Sequence, residues 1–210
     1  MKLTSFICSI ALLSFCANIN AQDISEEKLS FMDGKQDAIV AKYKYSEDVL
    51  ETVVEKILST KKIKKTKTVK GFKLYQGVFF EDLSKDVIDF YIKVDGGKTE
   101  STVTILISKG YNNFLSSSTD GSTIKNAKNL CKEINIAAID EHLNRAIEKQ
   151  TEVFNEANKK HNKSIEKGKD LVKEKEDILK KIEANIEEQK QFKQEVEDQK
   201  NALNALKSKK

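Results

Sequence analysis

The chain reads as an α+β protein: a small antiparallel sheet in the order β-α-β-β-β-α, then a long charged C-terminal helix or coiled coil. Three observations point there. Apolar and polar residues alternate in four short segments between residues 37 and 107, and two other segments repeat apolar residues every three or four positions. Beyond residue 159 the apolar residues thin out while charges of both signs interleave.

Taken in order, residues 22–36 read as an N-terminal linker. In residues 37–45 Ile39, Ala41, Tyr43 and Tyr45 share one face and Lys42 and Lys44 the other, the pattern of a half-buried strand. Ser46 then stands where a helix is capped, with Glu47 and Asp48 in the first turn, where acids favour the positive end of the dipole. Val49, Leu50, Val53, Val54, Ile57 and Leu58 follow at helical spacing, so 46–60 is an amphipathic helix. Phe72, Leu74, Val78 and Phe80 mark a second strand, Ile88 to Val94 a third and Val103 to Ile107 a fourth. Asp95-Gly96-Gly97 signals a tight hairpin between the last two, through glycines at positive φ. A polar loop (112–121) leads to a second helix with Ala127, Leu130, Cys131, Ile134, Ala137 and Ala138 on one face.

The α+β domain is expected to span 37–158 and a charged tail 159–210. From Asp140 onward 17 basic residues face 16 acidic ones, so the tail is dense in charge and nearly neutral. A heptad frame puts Ile165, Val172, Leu179 and Ile186 at a and Ile182, Val196 and Leu203 at d, interrupted by Gly168, Lys175, Gln189, Lys193 and Lys200. One charged helix (on the order of 65 Å for residues 164–207), a helical hairpin breaking near 158–164 or Gly168, and a self-associating coiled coil all fit this pattern.

Residues 1–21 have the parts of a secretory signal: Lys2, a greasy run from Phe6 to Ala17, and Ala21 before Gln22 as the cut. The run is too short to span a bilayer. Ile19 is an unusual residue three before the cut, and Phe15 before Cys16 disfavours acylation of that cysteine. The expectation is an exported protein of the periplasm or cell surface of a Gram-negative bacterium. Cys8 and Cys16 leave with the signal, so Cys131 remains alone, reading as a small buried hydrophobe between Leu130 and Ile134.

Several chemistries lack their residues. Gly96-Gly97-Lys98-Thr99 ends like a phosphate-binding loop, but position 92 is Ile where a glycine is required, and a strand follows. His142 and His161, 19 residues apart, fit no zinc-peptidase spacing, and no GxSxG elbow is present. No catalytic, metal-binding or cofactor-binding residue is nominated, and no cofactor is expected. The sharpest feature is Lys61, Lys62, Lys64, Lys65, Lys67 and Lys70, a lysine cluster without an acid. It reads either as a solvated connection guarding a sheet edge or as an anion-binding patch for lipid headgroups or polyanions.

Residues 46–138 also follow the order α-β-β-β-α, and Lys125-Asn126-Ala127-Lys128-Asn129 opens the last helix. In this the segment resembles the double-stranded-RNA-binding domain, which implies lysines at that helix start holding phosphates across a groove. The chain departs from the pattern: it has no Pro for the loop between the first two strands, and a strand precedes the first helix. With an export signal in front, nucleic acid is not the expected partner. The expected function is an exported, non-enzymatic interaction or adaptor protein of the cell envelope. Its partners are an envelope protein, or a second copy through the C-terminal helix. Envelope-lipid or polyanion binding through Lys61–Lys70 is the alternative, and a hydrolase with an unrecognised site the weaker one.

Overall fold

The computed structural model describes residues 23–110 and 113–208; the leader, with Cys8 and Cys16, lies outside them. Six strands and two helices follow in order: β1 (Ile24–Phe31), β2 (Gly34–Tyr43), α1 (Glu47–Thr60), β3 (Lys67–Val69), β4 (Phe72–Phe79), β5 (Val87–Gly96), β6 (Ser101–Ser108) and α2 (Gly121–Lys207). The strands form one sheet in the order β1-β2-β6-β5-β4-β3, every neighbouring pair antiparallel. The α+β architecture with a long C-terminal helix is as expected; the sheet is larger by two strands.

Both extra strands sit at the sheet's edges. Residues 24–31, expected to be linker, instead form β1, hairpinned to β2 through Met32-Asp33. The segment ISEEKLSF alternates poorly because an edge strand needs only part of one face buried, and its charges discourage pairing with another chain. β3 lies within the lysine cluster and turns into β4 through Lys70 (φ 47°) and Gly71 (φ 84°), both left-handed as a type I′ turn demands.

The sheet's two faces bury different clusters. One carries Ile39, Ala41 and Tyr43 of β2, Ile88, Phe90 and Ile92 of β5, and Val103, Ile105 and Ile107 of β6. Against it pack the apolar stripe of α1 and, from α2, Ile124, Ala127, Leu130, Cys131, Ile134 and Ala138. Burying each Val, Leu or Ile there contributes roughly 1.5–3 kcal/mol before ordering costs. The opposite face holds a smaller cluster around Phe31, whose ring meets Phe72 edge-on at 5.0 Å, Tyr91 at 5.3 Å and Phe114 at 5.7 Å. Phe31 and Phe72 belong to β1 and β4, with three strands between them. At about 4.8 Å per strand spacing a flat sheet would hold them roughly 19 Å apart, so the sheet coils until these corners meet. The Lys70 Nζ donates to the Met32 carbonyl at 3.1 Å across the same closure.

Two local expectations change. Phe72, Leu74, Val78 and Phe80 share a parity, yet Phe72 and Leu74 face the small cluster and Val78 and Phe80 the large one. A bulge between Tyr75 and Val78, with Gly77 at φ 62°, inserts one residue and flips the strand's faces. The β5–β6 hairpin forms, but Gly96 and Gly97 are not among the positive-φ residues. Gly96 is needed for close approach instead: a Cβ there would lie 2.5 Å from the Ser101 Cα.

The chain divides into two compact units, residues 1–146 and 147–210. The boundary falls twelve positions before the expected 158, because the buried face of α2 ends at Ala138 and Arg145 makes the last side-chain bonds to α1. Residues 147–207 are helical throughout, unbroken at 158–164 and at Gly168, which excludes the helical hairpin.

Candidate functional site

The six lysines are engaged differently. Lys61, at the C-cap of α1, pairs with Asp82 and Glu133, and the Asp82 bond leads in raising its pKa. Lys62 (φ 57°) and Ile63 close a Schellman motif: the Lys62 N–H donates to the Ser59 carbonyl and the Ile63 N–H to the Leu58 carbonyl, both at 2.9 Å. Ile63 is buried as that motif prefers. Lys67 lies on the edge strand β3 and Lys70 is bonded to the Met32 carbonyl. Lys62, Lys64 and Lys65 are exposed, make no ion pair among the described residues, and line a cleft of 350 Å³ with Ser59, Lys73 and Tyr75. Lys73 is neutralised there by Glu51 at 3.0 Å and Glu55 at 2.8 Å. Burial pulls its pKa down more than any other single influence, but the two carboxylates together outweigh it and leave the pKa raised.

The lysine-asparagine helix opening is also engaged internally. Lys128 bonds Glu26 of β1 at 2.6 Å, the leading cause of that carboxyl's lowered pKa, and the Asn126 amide donates to the Leu83 carbonyl at 3.1 Å. Four strands follow α1 rather than three. The resemblance to the RNA-binding domain therefore does not extend to the strand count, and of the two lysines at that helix start Lys128 is held by Glu26 while Lys125 is exposed without an ion pair among the described residues.

Two structural anchors stand apart from the residues nominated from the sequence. Asp120 caps α2: its Oδ1 accepts the Thr123 N–H at 3.0 Å and the Ser122 hydroxyl at 2.8 Å, while Lys109 pairs with Oδ2 at 3.0 Å. The Thr123 backbone bond leads these in holding the Asp120 pKa far below the ordinary carboxylate range. The Asp-Gly-Ser-Thr run just before an apolar repeat is a readable cap. Arg145 ties α2 to the start of α1 through Glu141, Asp48 and Thr52. Its distant partners are visible only in three dimensions.

Cys131 is buried, its thiol pushed up to about 12 by burial, and the Tyr43 hydroxyl donates to its carbonyl at 2.9 Å. A thiol so placed is not a nucleophile at neutral pH. His142 packs beside the Tyr45 ring at 5.7 Å, and His161 is an exposed residue of the second unit. Gly96 to Thr99 make the β5–β6 turn, where the Gly97 carbonyl accepts the Glu47 N–H at 3.0 Å and so serves the start of α1. Among the described residues no His, Cys, Asp and Glu group is placed to hold a metal ion, and no helix is long and apolar enough to cross a membrane.

The second unit carries the most extensive uncovered apolar surface. Its large apolar side chains are exposed, from 44% at Ile165 to 67% at Val196. In the heptad frame above all of them except Val153 fall on columns a, d and g; the sequence reading missed the g column of Leu171, Ile178, Phe192 and Leu206. Every Asp and Glu between 147 and 207 lies on the other four columns. Lys175, Lys193, Lys200 and Lys207 are the only lysines on the stripe. Ion pairs such as Lys169–Glu166 and Lys190–Glu187 stud the opposite surface. A helix sorted this way presents one apolar third of its circumference and a mixed-charge remainder. No protein-family model, no curated protein and no solved structure matches this chain.

Proposed function

We propose that the protein is an exported, non-enzymatic adaptor of the bacterial cell envelope, in which the sheet unit performs recognition and the helical tail provides docking. The observation that carries this reading is the a/d/g stripe between Ile147 and Leu206, acid-free and uncovered. Apolar surface of this extent, kept on one face over many turns, is the mark of a segment that binds another. The side chains of the sheet unit support a structural assignment, since Asp120, Glu26, Arg145 and Lys128 are all engaged in holding elements together. The test is cross-linked capture from the native envelope, comparing residues 22–210 with a chain lacking 147–210. Loss of a defined protein partner with the tail, while the shortened chain still melts cooperatively, is the expected result. Full capture by the shortened chain would overturn the tail's role.

A second reading rests on Lys62, Lys64 and Lys65, exposed together at the cleft beside α1. Binding of phosphate-bearing lipids or polyanions there would weaken steeply with salt, because lysines act on such groups as point charges. Replacing the three by Gln should abolish salt-sensitive binding to vesicles containing anionic lipid; unchanged binding refutes this reading.

A further inference from the structure

The stripe's pattern selects its occupant. It holds a seven-residue period from Ile147 to Leu206, so it stays in one line only if the helix supercoils about another long helix. We propose that residues 161–207 pair with the same segment of a second copy, antiparallel and centred on Ala184. This rests on the adaptor reading and names one thing that the tail joins.

Charge decides orientation and register. A parallel, in-register pair would set Lys175, Lys193 and Lys200 each against its own copy inside the seam. It would also leave the charges of column e without partners, because the g column between 147 and 207 holds no charged residue. In the antiparallel pair centred on Ala184, Ile165 meets Leu203 of the second copy, Val172 meets Val196 and Ile182 meets Ile186. On one flank Lys169 faces Glu197 and Glu176 faces Lys190, each pairing occurring twice by symmetry. On the other, Ile178 faces Phe192 and Asn185 faces its own copy. Lys200 lies opposite Gly168, where the absent side chain leaves room. Two kinds of like-charge contact remain: Glu183 faces its own copy on the exposed flank, and Lys175 meets Lys193 twice by symmetry, near enough to the surface for the long stems to carry their ammonium groups outward. A slip of one heptad one way sets Lys169 against Lys190 and Glu176 against Glu183; the opposite slip sets Glu176 against Glu197. Of the three registers only the central one has attractive pairs outnumbering repulsive ones on the charged flank, four to one against an even balance or none, and there Lys207, the last residue of α2, reaches His161.

The experiment uses residues 22–210 carrying Ile165→Cys or Leu203→Cys, oxidised mildly alone and as a mixture, with cross-links located by peptide mass spectrometry. The buried Cys131 is left in place. The expected result is a cross-link from 165 to 203 in the mixture and none in either chain alone. A self-cross-link of Ile165→Cys, or no cross-link in any sample, overturns the pairing. Without cysteines added, light scattering should give a dimer mass. Lys169→Glu should raise the dissociation constant about tenfold, since two attractions become two repulsions. Adding Glu197→Lys should restore it, and failure to restore refutes the register. A monomeric chain that still loses its envelope partner with 147–210 sinks this pairing and spares the adaptor reading; a dimer whose capture ignores that deletion does the reverse.

Discussion

The sheet unit and the tail are built from the same residue types and use them in opposite ways. Between Phe31 and Ala138 most large apolar side chains are buried; between Ile147 and Leu206 the large ones are exposed. Both segments carry dense charge, but in the first it stitches distant elements, as Arg145 does to Asp48 and Lys128 to Glu26, whereas in the second the pairs are local, three positions apart. Local pairs support a helix by a few tenths of a kcal/mol each and specify no tertiary partner. The contrast teaches that charge content alone does not mark a tail: the range of its pairs does.

The largest expected effect tests the burial half of that contrast. Phe90→Ala removes a fully buried ring between Tyr75 and Phe80 and should cost about 3–5 kcal/mol in chemical denaturation. Ile182→Ala should leave the sheet unit's midpoint unchanged, because Ile182 is half exposed and is not one of that core's residues. An equal loss from both substitutions would erase the distinction. Next in size is Asp120→Ala, expected to cost about 1–2 kcal/mol through loss of the α2 cap. Since the folded-state pKa of Asp120 is lowered, its stabilisation is complete above the ordinary value of 3.8 and is lost as pH falls below it. The gap between wild type and Asp120→Ala, read from urea midpoints, should therefore narrow in acid; a gap constant down to pH 2 would contradict the charged cap.

Smaller effects sharpen the comparison. Lys62→Gly should stabilise the sheet unit by about 1 kcal/mol in thermal unfolding, because glycine takes the left-handed C′ position without strain. A loss would mean that the Lys62 side chain contributes more than its backbone costs. At the bottom of the scale is a reactivity contrast without energetic cost. Cys131 should resist a thiol reagent at pH 8 in the native chain, while Ile182→Cys on the exposed stripe should react at once when the chain is dilute.

Much of this division was legible in the sequence, and the exceptions share a cause. α1 announced itself through Ser46, its acidic first turn and six spaced apolar residues, all of them local signals. β5 and β6 were equally plain because the core faces of both strands alternate cleanly. β1 reads as linker in the sequence because its pairing with β2 is only partly buried, so its alternation is faint. The flipped faces of β4 turn on one extra residue at Gly77, which a periodicity count absorbs without notice. The lysine cluster looks like one feature because sequence adjacency hides that Lys61 bonds Asp82 and Lys70 bonds Met32, each partner more than twenty positions from its own lysine. In the tail, columns a and d were visible, but g emerged only once the exposed apolar residues were viewed together.

The central proposal is that the first unit is stable through its own core while the exposed stripe of the tail is covered by a second copy of the tail. Hydrogen exchange followed at several protein concentrations tests this most directly. The account predicts slow exchange in α1 and the central strands at every concentration, and protection across 161–207 that rises with concentration while 147–160 gains less. Tail protection that is the same in dilute and concentrated samples would contradict it.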